Sequence, residues 1–504
     1  MTKLQKPKFD ELNQGNGAGS PVLKALWEKF ELSLLLTQCG MNKHSGVSAW
    51  IIVFAYVIGL VRGCTSVAQM ASHACEDKIL KLMLSSANVA QYSMSRFFTK
   101  NYNWHLFSKK RFDRLQQESE TALKDGDTIS LDDTKVAHPH GKKIPFLCWL
   151  YDSSDKINIW CMNLVATFAV LQNGLEYPIY NRIWRKSENN ISDKRNKNDR
   201  ESKIELAKQM LTDIREFVNC RLWVAMDRWF LCKELFLWLQ ERNYDWVTKA
   251  KKNTALYRME TEKFSGRIRM VPVKPSTLIM EVFFRLLKNA DKGAMSAIEI
   301  KNIYMKMPRE VLNKKGKFVK KQEYVPIAAI AVMKLTEDIE KTDEELEKRI
   351  NDTATFRNAH LLISNKVDAP EEAVKAYVRR WRIEVFFRTA KQELGLAQCH
   401  STSEAHHNAH IELLFTAETL LSYAKWELND KDKSVEGSFT HGQMVNCFFN
   451  AQYSIDVKTK NGITTVQIYF DIDVRCFARL LEKLWPDDYR LSWLPIYQIL
   501  ARSA

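Results

Sequence analysis

At 504 residues the chain exceeds what one compact core organises, so roughly two to four domains are expected. Hydrophobic residues make up 45% and aromatics 11%, with only 17 Gly and 12 Pro, which excludes a mostly disordered chain. The 75 Lys and Arg against 60 Asp and Glu leave a formal charge of +15. That excess favours a polyanion partner, either nucleic acid or an anionic membrane surface. The ten cysteines are scattered without a CxxC pair, which argues against a disulfide framework and for reduced thiols in a cytosolic protein. The polar start, Met1-Thr2-Lys3-Leu4, lacks a signal-peptide pattern.

In chain order, residues 1–20 are polar and Gly-rich and read as a mobile arm. From 21 to 120 the pattern is helical. The apolar run Val47–Val61 spans 15 residues, short of the ~20 that cross a bilayer, and reads as a buried core helix. Thr65–Ser72 and Ser93–Phe98 read as two helices. They form either a helix-turn-helix, whose second helix enters a major groove, or part of an ordinary bundle.

Around residue 126 the period becomes strand-like. Thr128–Asp133 alternates and ends in carboxylates; Ile157–Gln172 and Tyr177–Trp184 read as strands joined at Asn173-Gly174, a hairpin signal. The aromatic run Trp149, Tyr151, Trp160 and Phe168 reads as sheet core. A charged loop (Lys186–Arg200) leads to a helix over Glu201–Val218, a strand at Leu222–Asp227, a short helix at Lys233–Glu241 and a strand at Asp245–Lys249. This succession predicts an α/β sheet with carboxylates at two strand ends. Residues 250–360 break the rhythm with strands at Gly266–Val273 and Tyr324–Leu335. They also carry a stretch from Lys306 to Lys321 with seven bases and one acid, and an acidic helix at Glu337–Lys348. After a strand at His360–Ser364, Asp368-Ala369-Pro370-Glu371 marks the start of a long helix with Asp368 as cap.

Three carboxylates stand out by context: Asp133 and Asp227 at strand ends, and Glu384 in the long helix. An acid ending an apolar strand needs a counter-charge, and hard divalent cations bind a few carboxylates together with phosphate oxygens. At 100° per residue, Tyr377, Arg380, Glu384 and Lys391 fall within an arc of about 60°, with Arg388 close by. Between Lys375 and Lys391 there are six bases to one acid, which suits phosphate contacts around one metal ligand. His400, His406, His407 and His410 follow; His406 and His410 have a spacing that can bind zinc, but an exposed or DNA-facing helix start at Ser401-x-x-Glu404 fits the pattern better.

Tyr377-x₂-Arg380-x₃-Glu384-x₆-Lys391 resembles the Y-R-E-K signature of the insertion-sequence-four group of bacterial DDE cut-and-paste transposases. Asp133 before Thr134 resembles that family's first catalytic Asp, and Asp227 before Arg228 the second; the likeness spans about residues 126–425. Asp132 and Asp133 point to opposite faces of their strand, and the following Thr134 selects Asp133. The resemblance implies an α/β fold with a ribonuclease-H-like core (121–250 and 361–428) and a β-rich insertion (251–360). An all-α N-terminal DNA-binding domain (1–120) precedes it, and a C-terminal region (429–504) is open to dimerisation or DNA contact. It also implies that Asp133, Asp227 and Glu384 are catalytic and hold two Mg²⁺ ions, for which Mn²⁺ substitutes. Tyr377, Arg380, Lys391 and Arg388 would then hold DNA phosphates, with Lys249 and Lys251 gripping transposon DNA.

The implied partners are double-stranded transposon and target DNA and a second copy of the chain, without a membrane, in the bacterial cytoplasm near the nucleoid. Relatives cleave through a hairpin aided by a stacking aromatic in the insertion. There is no Trp between Trp246 and Trp381, leaving Phe264, Tyr304, Phe318 or Tyr324 as substitutes. Two other readings stand beside this one: a non-catalytic inhibitor derived from a transposase, and a metal-dependent nuclease without strand transfer.

Overall fold

The computed structural model describes residues 14–431 apart from 17–18, 44, 85–86, 145, 154, 187–201, 262–267, 313–317 and 336–340; beyond 431 it describes 440, 442, 444–445, 452–460, 463–471 and 497–501. Most of the expected N-terminal arm and of the loop Lys186–Arg200 lies outside these residues.

After a short strand β1 (Gln14–Asn16) come α1 (Ser20–Lys29), α2 (Leu32–Gln38), α3 (Ala49–Val61), α4 (Val67–Glu76), α5 (Lys78–Met83), α6 (Gln91–Phe98) and α7 (Trp104–Gln116). The apolar run forms α3, buried from Ile51 to Val61, and no described helix is long and apolar enough to cross a membrane. Gly59 lets α4 close on it, since a Cβ there would lie 2.4 Å from Met70. Ser66 caps α4, its Oγ accepting from Gln69 N at 3.2 Å. The two helices of the suggested helix-turn-helix are α4 and α6. They pack on each other, but α5 intervenes between them in the chain.

β2 (Thr128–Ala137) opens the main sheet, followed by β3 (Cys148–Asp152), β4 (Ile157–Val170), β5 (Glu176–Trp184), α8 (Lys203–Arg215), β6 (Leu222–Met226), α9 (Lys233–Glu241) and β7 (Tyr244–Lys249). β4 is antiparallel to β2, β3 and β5, whereas β6 is parallel to β2 and β7 parallel to β6. Helical connections are what parallel neighbours require. The β4–β5 turn is at Asn173-Gly174 as expected, with Gly174 at φ +88°, a conformation open to glycine. The aromatic run divides. Phe168 is buried and stacked on Phe386, but Trp149 and Tyr151, expected in the core, are 58% and 57% exposed on β3.

Next come β8 (Leu256–Thr261), β9 (Ile268–Val273), α10 (Pro275–Lys288), β10 (Met295–Leu312), β11 (Phe318–Lys334), α11 (Asp343–Asn351), α12 (Thr353–Arg357) and β12 (Ala359–Ser364). β12 pairs antiparallel with both β11 and β7, so these strands continue the main sheet to eleven strands among the described residues. α13 (Pro370–Gln392) then crosses β2, β6 and β7, and α14 (Glu404–Lys431) packs on β5 and α3. Asp368 does not cap α13. The cap residue is Ala369, and the Asp368 carboxylate accepts instead from Lys366 Nζ at 3.0 Å. β13 (Gln452–Lys460), β14 (Ile463–Asp471) and β15 (Tyr497–Ala501) form a second sheet with β1.

The histidines at the start of α14 are interior rather than exposed. His410 Nδ1 bonds Tyr56 Oη at 2.9 Å and its Nε2 bonds Gly395 O at 3.0 Å, while His407 Nε2 bonds Ser401 O at 2.7 Å. Burial pushes His406 and His138 down to about 4 and His410 to about 3. A folded-state pKa below the unfolded value of about 6.5 means that the unfolded chain binds more protons on acidification. The stability these groups contribute is therefore complete above about pH 6.5 and lost as pH falls toward 4. In pH-dependent denaturation, His406→Gln is expected to flatten the acid limb by about one proton; an unaltered slope would contradict the burial argument.

Candidate active site

Strand alternation sets the site. Trp223 and Ala225 on β6 and Val247 on β7 pack with Ala373, Ala376 and Tyr377 of α13 in one cluster. Asp227 and Lys249 therefore continue the α13 side of the sheet by the period of two. On β2, Thr128 lies on the same side, its Oγ1 accepting from Arg379 Nη1 at 3.4 Å, and Asp132 follows four residues on. Because Leu131 is in register with Met226, the next positions along these parallel strands are Asp132 and Asp227. The small residues Ala373 and Ala376 bring α13 close to the sheet, and the next two helical turns carry Arg380 and then Glu384 toward the strand tips.

Arg380 Nη1 donates to Asp132 Oδ2 at 2.9 Å, and Nη2 donates to Glu384. The Asp132 carboxyl also takes the backbone N–H of Asp133 on Oδ1 at 2.8 Å. Asp227 Oδ2 accepts the N–H of Trp229 at 3.1 Å. The structure thus brings Asp132 and Glu384 onto one guanidinium, with Asp227 near enough to act on the Asp132 charge. Asp133, expected as the first acid, is on the opposite face: its Oδ2 takes Asn163 Nδ2 at 2.8 Å and Lys203 Nζ at 2.7 Å. Two adjacent residues in a strand cannot both face α13, and α13 covers the side of Asp132.

Burial, with Asp227 nearby, pushes Asp132 up to about 7 against the opposing pull of Arg380. Burial works against the Arg380 charge too, but Tyr377, Asp132 and Glu384 outweigh it and hold the guanidinium firmly protonated. Tyr377 is pushed up to about 12 by its burial. Lys249, 5.7 Å from the Tyr377 ring centroid, is lowered by burial first and then by Arg380.

The expected phosphate-holding residues divide in two groups. Tyr377 and Arg380 are buried, and Arg380 is engaged with the acids. Arg388 and Lys391 have exposed side chains farther along α13, but burial around the Lys391 ammonium lowers its pKa, with Asp152 opposing and Lys135 adding to the shift. Lys251 is half-buried in the loop after β7. Of the aromatic candidates in the insertion, Phe264 lies outside the described residues. Tyr324 sits edge-on to Tyr257 at 5.0 Å, with Lys306 Nζ 5.1 Å from the Tyr324 ring. Sequence reasoning missed Lys203, Asn163 and Trp229. The one signal for them was that a second acid beside Asp132 needs its own cation.

Residues 191–420 match the family model described as "Transposase DDE domain", and residues 51–276 match the one described as "DDE superfamily endonuclease". Both matches support a DDE transposase. No curated protein matches the chain. A solved chain described as "Cryo-EM structure of piggyBac transposase synaptic complex with hairpin DNA" aligns at 10% identity with a TM-score of 0.34, covering 85% of this chain and 78% of that one.

The donor chemistry of Asp132, Asp227 and Glu384 suits hard divalent cations, since all three groups are carboxylates. Among the described residues no three acid, histidine or cysteine side chains stand close enough to hold an ion as they are placed. Arg380 is the positive group that bridges two of the acids, so ion binding requires its guanidinium to yield.

Proposed function

We propose that this protein is a DDE transposase of the insertion-sequence-four type. It would bind the terminal inverted repeats of its element, cleave them and join the 3′ ends to target DNA. The observation that carries this reading is that Arg380 of the basic helix α13 joins Glu384 of the same helix to Asp132 at the tip of β2, with Asp227 acting on the Asp132 charge. Strands β5-β4-β2-β6-β7, three antiparallel and two reached through helices, support a ribonuclease-H-like core over 121–250 and 361–428, with 251–360 as its insertion. Residues 1–120 are assigned to DNA recognition and 429–504 to dimerisation or DNA contact.

Two divalent ions, Mg²⁺ or Mn²⁺, held by these acids would supply the charge that activates the attacking oxygen and stabilises the leaving one. The chain's own part would be to hold them with Asp132, Asp227 and Glu384, with Arg380, which neutralises Asp132 and Glu384 in the ion-free site, giving way to the ions. Tyr377 and Lys249 line the floor beside Asp227. Arg388 and Lys391, exposed on α13, lie where a DNA backbone would pass, and phosphate contacts of that kind fix register rather than sequence.

Incubation with the element's terminal DNA and Mg²⁺ is expected to give nicks, then joined products with a supplied target. Cleavage without joining would mark a nuclease. Binding without cleavage would mark a non-catalytic descendant.

A further inference from the structure

Both strand-tip carboxylates of the site are held by a backbone N–H. Asp132 takes it from Asp133, and Asp227 takes it from Trp229. The side chains of those two donors meet on the far face of the sheet at one residue, Lys203. Its ammonium pairs with Asp133 Oδ2 at 2.7 Å and lies 4.9 Å from the Trp229 ring centroid and 5.3 Å from that of Trp184. Asn163 Nδ2 donates to the same Asp133 oxygen at 2.8 Å.

Lys203 is the first residue of α8, directly after the cap Ser202. A cation there opposes the helix dipole, and its side chain is only 11% exposed. Local helix stability thus disfavours a buried lysine at this place, while the ion pair and the two aromatic faces retain it.

We propose that Lys203 is a positioning residue for the metal-holding acids, a single brace that fixes the tips of β2 and β6 from behind. This rests on the reading of Asp132, Asp227 and Glu384 as the ion-holding set. Lys203 touches no reacting atom. Its action passes through Asp133 to the backbone N–H that orients Asp132, and through Trp229 to the one that orients Asp227. Groups that orient metal ligands from the second rank change metal affinity by about 10–100-fold when removed.

The test is calorimetric titration of the full chain with Mn²⁺, alongside its thermal unfolding. Lys203→Met is expected to weaken Mn²⁺ binding by about 10–100-fold, with Lys203→Arg restoring most of it because the charge between Asp133 and the rings is kept. Trp229→Leu changes a residue that is 46% exposed and is expected to act in the same direction, so the proposal stays testable if Lys203→Met does not fold. A lower melting temperature with unchanged Mn²⁺ affinity in both variants would make Lys203 merely structural and overturn the proposal. A wild-type chain that binds no Mn²⁺ would instead overturn the site itself, and the brace with it.

Discussion

Asp132→Asn is expected to abolish metal-dependent cleavage, while Asp133→Asn cleaves once Mn²⁺ is saturating. Removing an ion-holding carboxylate forfeits several kcal/mol of transition-state stabilisation, on the order of a thousandfold in rate. Asp133 contributes only through Lys203 and its own backbone N–H, so its loss weakens ion binding without removing a ligand. Asp132→Asn should remain folded. Burial already pushes the Asp132 carboxyl up to about 7, so a neutral amide is a modest electrostatic change there, and its one oxygen keeps the acceptor for either Arg380 or the Asp133 N–H. The same elevation sets a pH dependence. Metal ions compete with the proton on Asp132, so Mn²⁺ affinity should fall as pH drops below about 7, approaching a tenfold loss per unit. Gel assays of the two variants across a Mn²⁺ series decide the matter. Activity in Asp132→Asn, or its complete loss in Asp133→Asn at saturating ion, would return Asp133 to the centre.

The sequence showed that Asp132 and Asp133 face opposite ways, but not which way is inward. That choice is made by α13, whose Arg380 lies 248 residues from Asp132 in the chain. A neighbouring Thr134 says nothing about that packing, which is why the resemblance led to Asp133. Glu384 and Arg380 were legible because helical spacing places them on one face without reference to anything distant. The β4–β5 hairpin was legible for the same reason, its turn residues being local. The extension of the sheet through β12 into β11 was not legible. Strand content can be read from alternation, but which edge accepts a strand is a long-range pairing. Trp149 and Tyr151 alternate like core residues, yet β3 turns that side of the strand to solvent. The α14 histidines looked like a polar helix start, and they are buried because Tyr56 and the carbonyls of Ser401 and Gly395 satisfy them.

Arg111→Met is expected to cost about 3–5 kcal/mol of stability, the usual penalty for breaking one side of a buried ion pair. Arg111 on α7 is 2% exposed and pairs through Nε with Glu412 Oε1 of α14 at 2.9 Å. Its Nη1 donates to Pro178 O at 3.1 Å and Thr419 Oγ1 at 3.1 Å, and its Nη2 to Ile179 O at 2.8 Å. One guanidinium therefore joins the N-terminal helices, β5 and α14. Burial already raises the Glu412 pKa, and Arg111 is the main group lowering it. Without Arg111 the carboxyl must either stay charged without its partner or take up a proton, and the Pro178 and Ile179 carbonyls of β5 each lose a guanidinium bond. Arg111→Met/Glu412→Leu removes both charges and is expected to unfold at a denaturant concentration between those of wild type and Arg111→Met, because a paired charge costs less to delete whole than to halve. Denaturant titrations of the three proteins measure this directly. If the double variant proved no more stable than Arg111→Met, the penalty would belong to the lost β5 carbonyl contacts rather than to the stranded carboxylate.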